Sequence, residues 1–101
     1  MFTLKLPPKE KRRIADLIQQ MKPHVHIGKK GLSAEVISEV DRQLEEHEVI
    51  KVRFLKSALQ VEKCSRKELA RKLAEAVNAE LIDIRGYTAV LYRRRRRLYK
   101  E

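Results

Sequence analysis

Gly28, Lys29, Lys30 and Gly31 combine the two things an anion site needs, a backbone that can come close and a concentrated positive charge. They lie between the strand-like run His24-Val25-His26-Ile27 and a helix start at Ser33. Glycine has no Cβ to hold a bulky anion away. The N–H groups of a first helical turn have no intrahelical partner and can point at a phosphate. A second cationic feature is the run Arg93, Arg94, Arg95, Arg96 and Arg97, whose like charges repel and favour an arm over a packed strand. Each guanidinium can meet one phosphate. Tyr92 and Tyr99 flank the run; Tyr92 is expected in the sheet, and Tyr99 is the freer ring for stacking on a base. The chemistry expected is non-covalent capture of a polyanion.

Covalent chemistry has little to stand on. His24 and His26 alternate on one strand face, but no third metal ligand lies near them. Cys64 follows Lys63 with no base partner in sight and reads as a small, half-buried side chain. The carboxylates cluster along one helix instead of pairing, and no phosphate-binding P-loop is present. Neither a catalytic residue, a metal nor a cofactor is expected, and the protein does not read as an enzyme.

Composition points the same way. The 101 residues carry a formal net charge of +10, with 38% charged and 43% hydrophobic residues, enough for one modest core under a very polar surface. No apolar run approaches the roughly 20 residues of a membrane span, and Met1 to Pro8 lacks a secretory apolar region. A single cysteine excludes an internal disulfide and suits a reducing, cytoplasmic setting. The acids Glu35, Glu39, Asp41, Glu45, Glu46 and Glu48 are interrupted by Arg42 alone among lysines and arginines, so an acidic flank opposite a basic working face is expected. One compact, strongly charged domain suggests a monomer.

The elements that position these residues alternate. Pro8 suits the first turn of a helix carrying an apolar stripe of Ile14, Leu17, Ile18 and Met21, stopped by Pro23. Residues 24–28 form a first strand. Ser33 caps a second helix that buries Val36, Ile37, Val40 and Leu44. Residues 49–55 form a second strand with Ile50, Val52 and Phe54 inward and Lys51 and Arg53 outward. Ser65-Arg66-Lys67-Glu68 is a capping box opening a helix that buries Leu69, Ala70, Leu73 and Val77. Leu81 to Arg85 and Thr88 to Tyr92 form a hairpin turning near Gly86.

This order, a helix followed by βαβαββ, predicts an α/β fold with a four-stranded mixed sheet and helices packed on it. Both crossover helices should cover one face, while the leading helix covers that same face or docks at an edge. The other face is then partly open, with His26, Lys51, Arg53 and Arg85 on it and Asp83 as the one acid. Together with the Gly28–Gly31 loop these cations would make one continuous phosphate-binding surface.

The segment His26-Ile27-Gly28-Lys29-Lys30-Gly31-Leu32-Ser33, followed by an amphipathic helix, resembles the CRM domain, the YhbY-like family of RNA-binding proteins. Ile84-Arg85-Gly86-Tyr87-Thr88-Ala89-Val90-Leu91-Tyr92-Arg93 looks like that family's second signature, and the resemblance runs from about Thr3 to about Arg93. It implies a domain over residues 1–93, followed by a basic tail over 94–101 whose arginine density departs from the family pattern. The implied fold is similar to the C-terminal domain of bacterial translation initiation factor three. The family includes single-domain prokaryotic proteins associated with large-ribosomal-subunit precursors, and organellar splicing factors. Its G-x-x-G loop is thought to contact RNA, which carries over to Gly28, Lys29, Lys30 and Gly31. The implied function is an RNA-binding assembly factor on ribosomal RNA. The alternatives are a DNA-binding architectural protein, an RNA-splicing or translation accessory module, or a protein-interaction module docking through the acidic helix.

Overall fold

A computed structural model describes residues 7–94 of the chain. Its elements are α1 (Pro8–Gln19), β1 (Val25–Ile27), α2 (Ala34–His47), β2 (Val49–Phe54), α3 (Lys56–Glu62), α4 (Arg66–Ala76), β3 (Glu80–Arg85) and β4 (Thr88–Tyr92). The alternation expected from the sequence is present, with α3 added between β2 and α4. That helix has only seven residues, no side-chain cap at its start and one buried residue, Ala58. Such a segment is too short to display helical periodicity. Ser33 caps α2 by accepting the Val36 N–H, and Ser65 with Glu68 closes a reciprocal capping box on α4.

The sheet order is β1-β2-β4-β3, with β1 and β2 parallel and β4 antiparallel to both its neighbours. The two strands joined by the α3–α4 crossover therefore flank β4 instead of pairing directly. Ile27, Ile50, Val52, Phe54, Ala89 and Leu91 on one sheet face pack with Val40 and Leu44 of α2 and Leu69, Ala70 and Leu73 of α4 in a single cluster. Both crossover helices thus share one face, as right-handed connections dictate.

The leading helix takes neither of its expected places. It lies on the opposite face, where α1 contacts β2, β3 and β4. The Lys51 ammonium reaches under it and donates to the carbonyls of Gln19 at 2.8 Å and Met21 at 2.9 Å. Those carbonyls end a helix, where a cation is favoured by the unpaired oxygens and the helix dipole. Lys51 is only 9% exposed, so it holds α1 onto the sheet and is withdrawn from the expected binding surface. Gln19 contacts Asp83 and accepts from the Thr88 hydroxyl, and Asp16 pairs with Arg85. Arg85 also bonds Asp83 through Nε at 2.7 Å, so two carboxylates offset its charge. The face expected to be partly open is therefore covered over Lys51, while Arg85 stays exposed but paired with two carboxylates, and His26 and Arg53 stay exposed.

Turning α1 this way leaves part of its apolar stripe uncovered. Ala15 is its one buried residue, whereas Leu17 is 62% and Met21 49% exposed. A shallow apolar groove runs from them to His24, His47 and Val49. Within it the His24 and His47 rings stand 5.0 Å apart, and His24 Nδ1 accepts the Lys51 N–H at 3.0 Å. Burial, then repulsion from His47, holds the His24 pKa below its ordinary 6.5. The unfolded chain then binds more protons than the folded one just below pH 6.5. Stability supplied by neutral His24 is complete above that pH and is lost as pH falls through the lowered folded value. Denaturant midpoints should drop between pH 7.5 and 5.5, and His24→Asn should flatten that slope.

Candidate nucleic-acid interface

The Gly31 N–H donates to the Gly28 carbonyl at 2.9 Å, closing a turn with Lys29 and Lys30 at its two corners. Both lysines are exposed. Lys30 has only a distant partner, Glu35 at 3.8 Å, and both groups are well solvated, so the pair contributes little. Gly31 has φ +61°, a conformation that glycine adopts without strain. A Cβ on Gly28 would lie 3.3 Å from Leu55 Cδ1 and 3.7 Å from Ser57 Oγ, so the turn sits directly on the start of α3.

Glu62, at the end of α3, changes the expected anion chemistry. Its carboxylate accepts the Leu32 N–H at 2.8 Å, and a Cβ on Gly31 would meet the same oxygen at 2.3 Å. One backbone donor behind the turn is thus already used by an internal carboxylate. The lysine side chains, not a ring of vacant N–H groups, are what the turn offers to a phosphate. Gly31→Asp would force a side chain into left-handed backbone and set one carboxylate against another. It should therefore lower stability as well as anion binding, against the gain expected of an acid near a helix start.

The turn has neighbours that sequence reasoning did not single out. The Leu55 N–H donates to the Ile27 carbonyl, and the Phe54 N–H donates to the Tyr87 carbonyl at 2.7 Å. This brings the β3–β4 turn beside the Gly28–Gly31 turn, at about 10 Å, two interstrand spacings away. Arg66, in the first turn of α4, donates to the Gly86 carbonyl at 3.0 Å and lies 5.1 Å from the Tyr87 ring centre. Lys29, Lys30, Arg53, Lys56 and Arg66 are all exposed at this end of the sheet. A capping-box motif identifies Arg66 as a helix-start residue, but nothing in the sequence places that helix start beside Gly86.

Arg93 lies at the other end of the sheet. β4 runs from Thr88, paired with Arg53, to Tyr92, paired with Val49, so the chain leaves the sheet away from the loop. Counting strand residues at about 3.3 Å each, Arg93 lies about 20 Å from Gly28. Arg93 therefore does not adjoin the Gly28–Gly31 turn. Arg93 itself is 8% exposed. Its Nη1 donates to Asp41 Oδ1 and the Val77 carbonyl, both at 2.7 Å, and its Nη2 to Glu45 Oε2 at 3.0 Å and the Asp41 carbonyl at 3.1 Å. It fastens the end of β4 to α2 and is not an accessible phosphate ligand. Asp41 and Glu45 are engaged in that fastening, and Arg42 pairs with Glu39 and Glu46, so two cations offset part of the acidic flank expected of α2. Arg94 is half-buried where the described chain ends; Arg95, Arg96, Arg97 and Tyr99 lie outside the described residues. Among the described residues no cluster of three or more His, Cys, Asp or Glu could hold a metal ion, and no helix is long and apolar enough to cross a membrane.

Comparison with known proteins supplies the lineage. The chain is 43% identical over 91 residues to the probable RNA-binding protein MJ0652 of Methanocaldococcus jannaschii, covering 90% of this chain and 66% of that relative. It is 27% identical over 89 residues to the probable RNA-binding protein PA4753 of Pseudomonas aeruginosa, covering 88% and 82% of the two chains. The solution structure of the hypothetical protein SAV1595 from Staphylococcus aureus superposes with a TM-score of 0.71 at 36% identity, covering 89% of this chain and 90% of that one. The family model for the CRS1 / YhbY (CRM) domain matches residues 6–93, which include the Lys29–Lys30 turn, the β3–β4 hairpin and Arg93. Because that match spans nearly the whole chain, the chain belongs to the CRS1 / YhbY (CRM) domain family.

Proposed function

We propose that this protein binds structured RNA by its phosphate backbone, through the Lys29–Lys30 turn and the cations gathered around it, and that it accompanies large-ribosomal-subunit precursors during assembly. The observation that carries this reading is the turn itself, two exposed lysines at its corners and Arg53, Lys56 and Arg66 exposed at the same end of the sheet. Such an arrangement neutralises phosphate without reading base edges, which suits folded RNA whose bases are mostly paired. The names of the two relatives favour RNA over DNA, and the resemblance to the family's prokaryotic members favours ribosomal RNA. The described chain ends at Arg94, about 20 Å from the turn, and the arginines that follow it in sequence give a second point of attachment on the same RNA.

The test is sedimentation of cell extract at low and high salt, with the protein followed by antibody. Enrichment in large-subunit precursor fractions at low salt and release at high salt are expected. Movement with chromosomal DNA, insensitive to ribonuclease, would replace this reading with the DNA-architectural one. Glu62 offers a finer check. Its carboxylate stands behind the turn that receives phosphate, so Glu62→Gln should raise RNA affinity about two- to fivefold, the order of a single charge interaction near a wet surface. Filter binding at fixed salt measures it, and weaker binding would place the phosphate away from the turn.

A further inference from the structure

Tyr87 is the one aromatic residue among the large hydrophobics exposed on the described surface, at 39%, and it stands about 10 Å from the Lys29–Lys30 turn. The β3–β4 turn carries it, made tight by Gly86 at φ +58°. A Cβ on Gly86 would meet no atom within 4 Å, so the approach to this turn is open. The position of the ring is held from two directions. Its carbonyl accepts the Phe54 N–H, and the Arg66 guanidinium lies 5.1 Å from the ring centre while bonding the Gly86 carbonyl. Arg66 thus supports the ring and adds charge beside it, an arrangement favoured by the attraction of a cation to an aromatic face.

A fixed, partly exposed ring among exposed cations is a platform for a planar, electron-rich partner attached to phosphates. We propose that Tyr87, backed by Arg66, is a stacking site for one unpaired RNA base, entered by a strand whose phosphates lie on the Lys29–Lys30 turn. This rests on the RNA reading above and adds to it a preference for RNA with an unpaired nucleotide beside a helix. Every base has a π-face, so the site tolerates sequence while discriminating paired from unpaired nucleotides. The separation of about 10 Å between the two turns allows a single strand to touch both.

The experiment compares a short RNA hairpin carrying an unpaired extension with the same hairpin whose extension is abasic. The parent should bind the base-bearing RNA about tenfold more tightly. Tyr87→Phe should keep that preference, and Tyr87→Leu, which retains apolar bulk without a π-face, should abolish it, as should Tyr87→Ala. The salt slope should be the same in all of them, because no phosphate contact is removed. Lys29 and Lys30 replaced together by alanine should behave oppositely, losing affinity for both RNAs and retaining the preference. Equal binding of the two RNAs by the parent, or a preference that survives Tyr87→Leu, overturns the stacking site and leaves the backbone reading intact. Failure of the parent to bind either RNA overturns both.

Discussion

Arg93→Ala should destabilise the fold by about 3 kcal/mol, at the lower end for breaking a buried ion pair because Asp41 is half-exposed. That corresponds to a fall in melting temperature of about 15 °C for a domain of this size. The cause is specific. Removing the guanidinium leaves Asp41 and Glu45 facing each other across the vacated space and strips the Val77 carbonyl of a 2.7 Å donor. Arg93→Lys should recover only part of the loss, since one ammonium cannot reproduce a planar fork that reaches acceptors on α2 and at the end of α4. Thermal melts and denaturant titrations measure this without any RNA. A variant with unchanged melting temperature but weakened RNA binding would return Arg93 to the binding surface.

Replacement of Lys29 and Lys30 together by alanine should produce the reverse pattern, with stability held and affinity lost. Both side chains stand at the corners of an exposed turn, and neither holds a buried partner. The salt slope of RNA binding should fall by about 1.4, from roughly 0.7 per phosphate contact on single strands. At physiological salt the same term lowers affinity about tenfold. Binding isotherms at several salt concentrations give slope and affinity together. A folded double variant with an unaltered slope would mean that RNA phosphates lie elsewhere, with the tail as the next place to look.

Much of this architecture is written locally. Val40 with Leu44 and Leu69 with Leu73 mark two amphipathic helices, Ser33 and Ser65 start them, and the alternation of Ile50, Val52 and Phe54 marks a central strand. Each signal depends on neighbours within a few residues, so sequence alone determined the element order apart from α3, the mixed sheet and the lysine turn. Side chains that act across the fold were not legible in that way. Lys51 and Arg53 both occupy outward positions of one strand, yet one is buried beneath α1 and the other is exposed. Arg93 opens a run of five arginines of identical chemistry, and only the neighbourhood of Asp41, Glu45 and Val77 makes it structural.

What the sequence determined, then, is every element but the short α3, the glycine–lysine turn and a charge suited to polyanions, because periodicity, capping and net charge are short-range or additive properties. Tertiary structure decided which cations remain available. Docking of α1 on the second sheet face consumed Lys51 and offset Arg85, and the antiparallel course of β4 carried Arg93 to the end opposite the turn. Strand order also brought Arg66 and Tyr87 beside that turn from positions far along the chain. These outcomes depend on which surfaces meet, and no local pattern of residues encodes that.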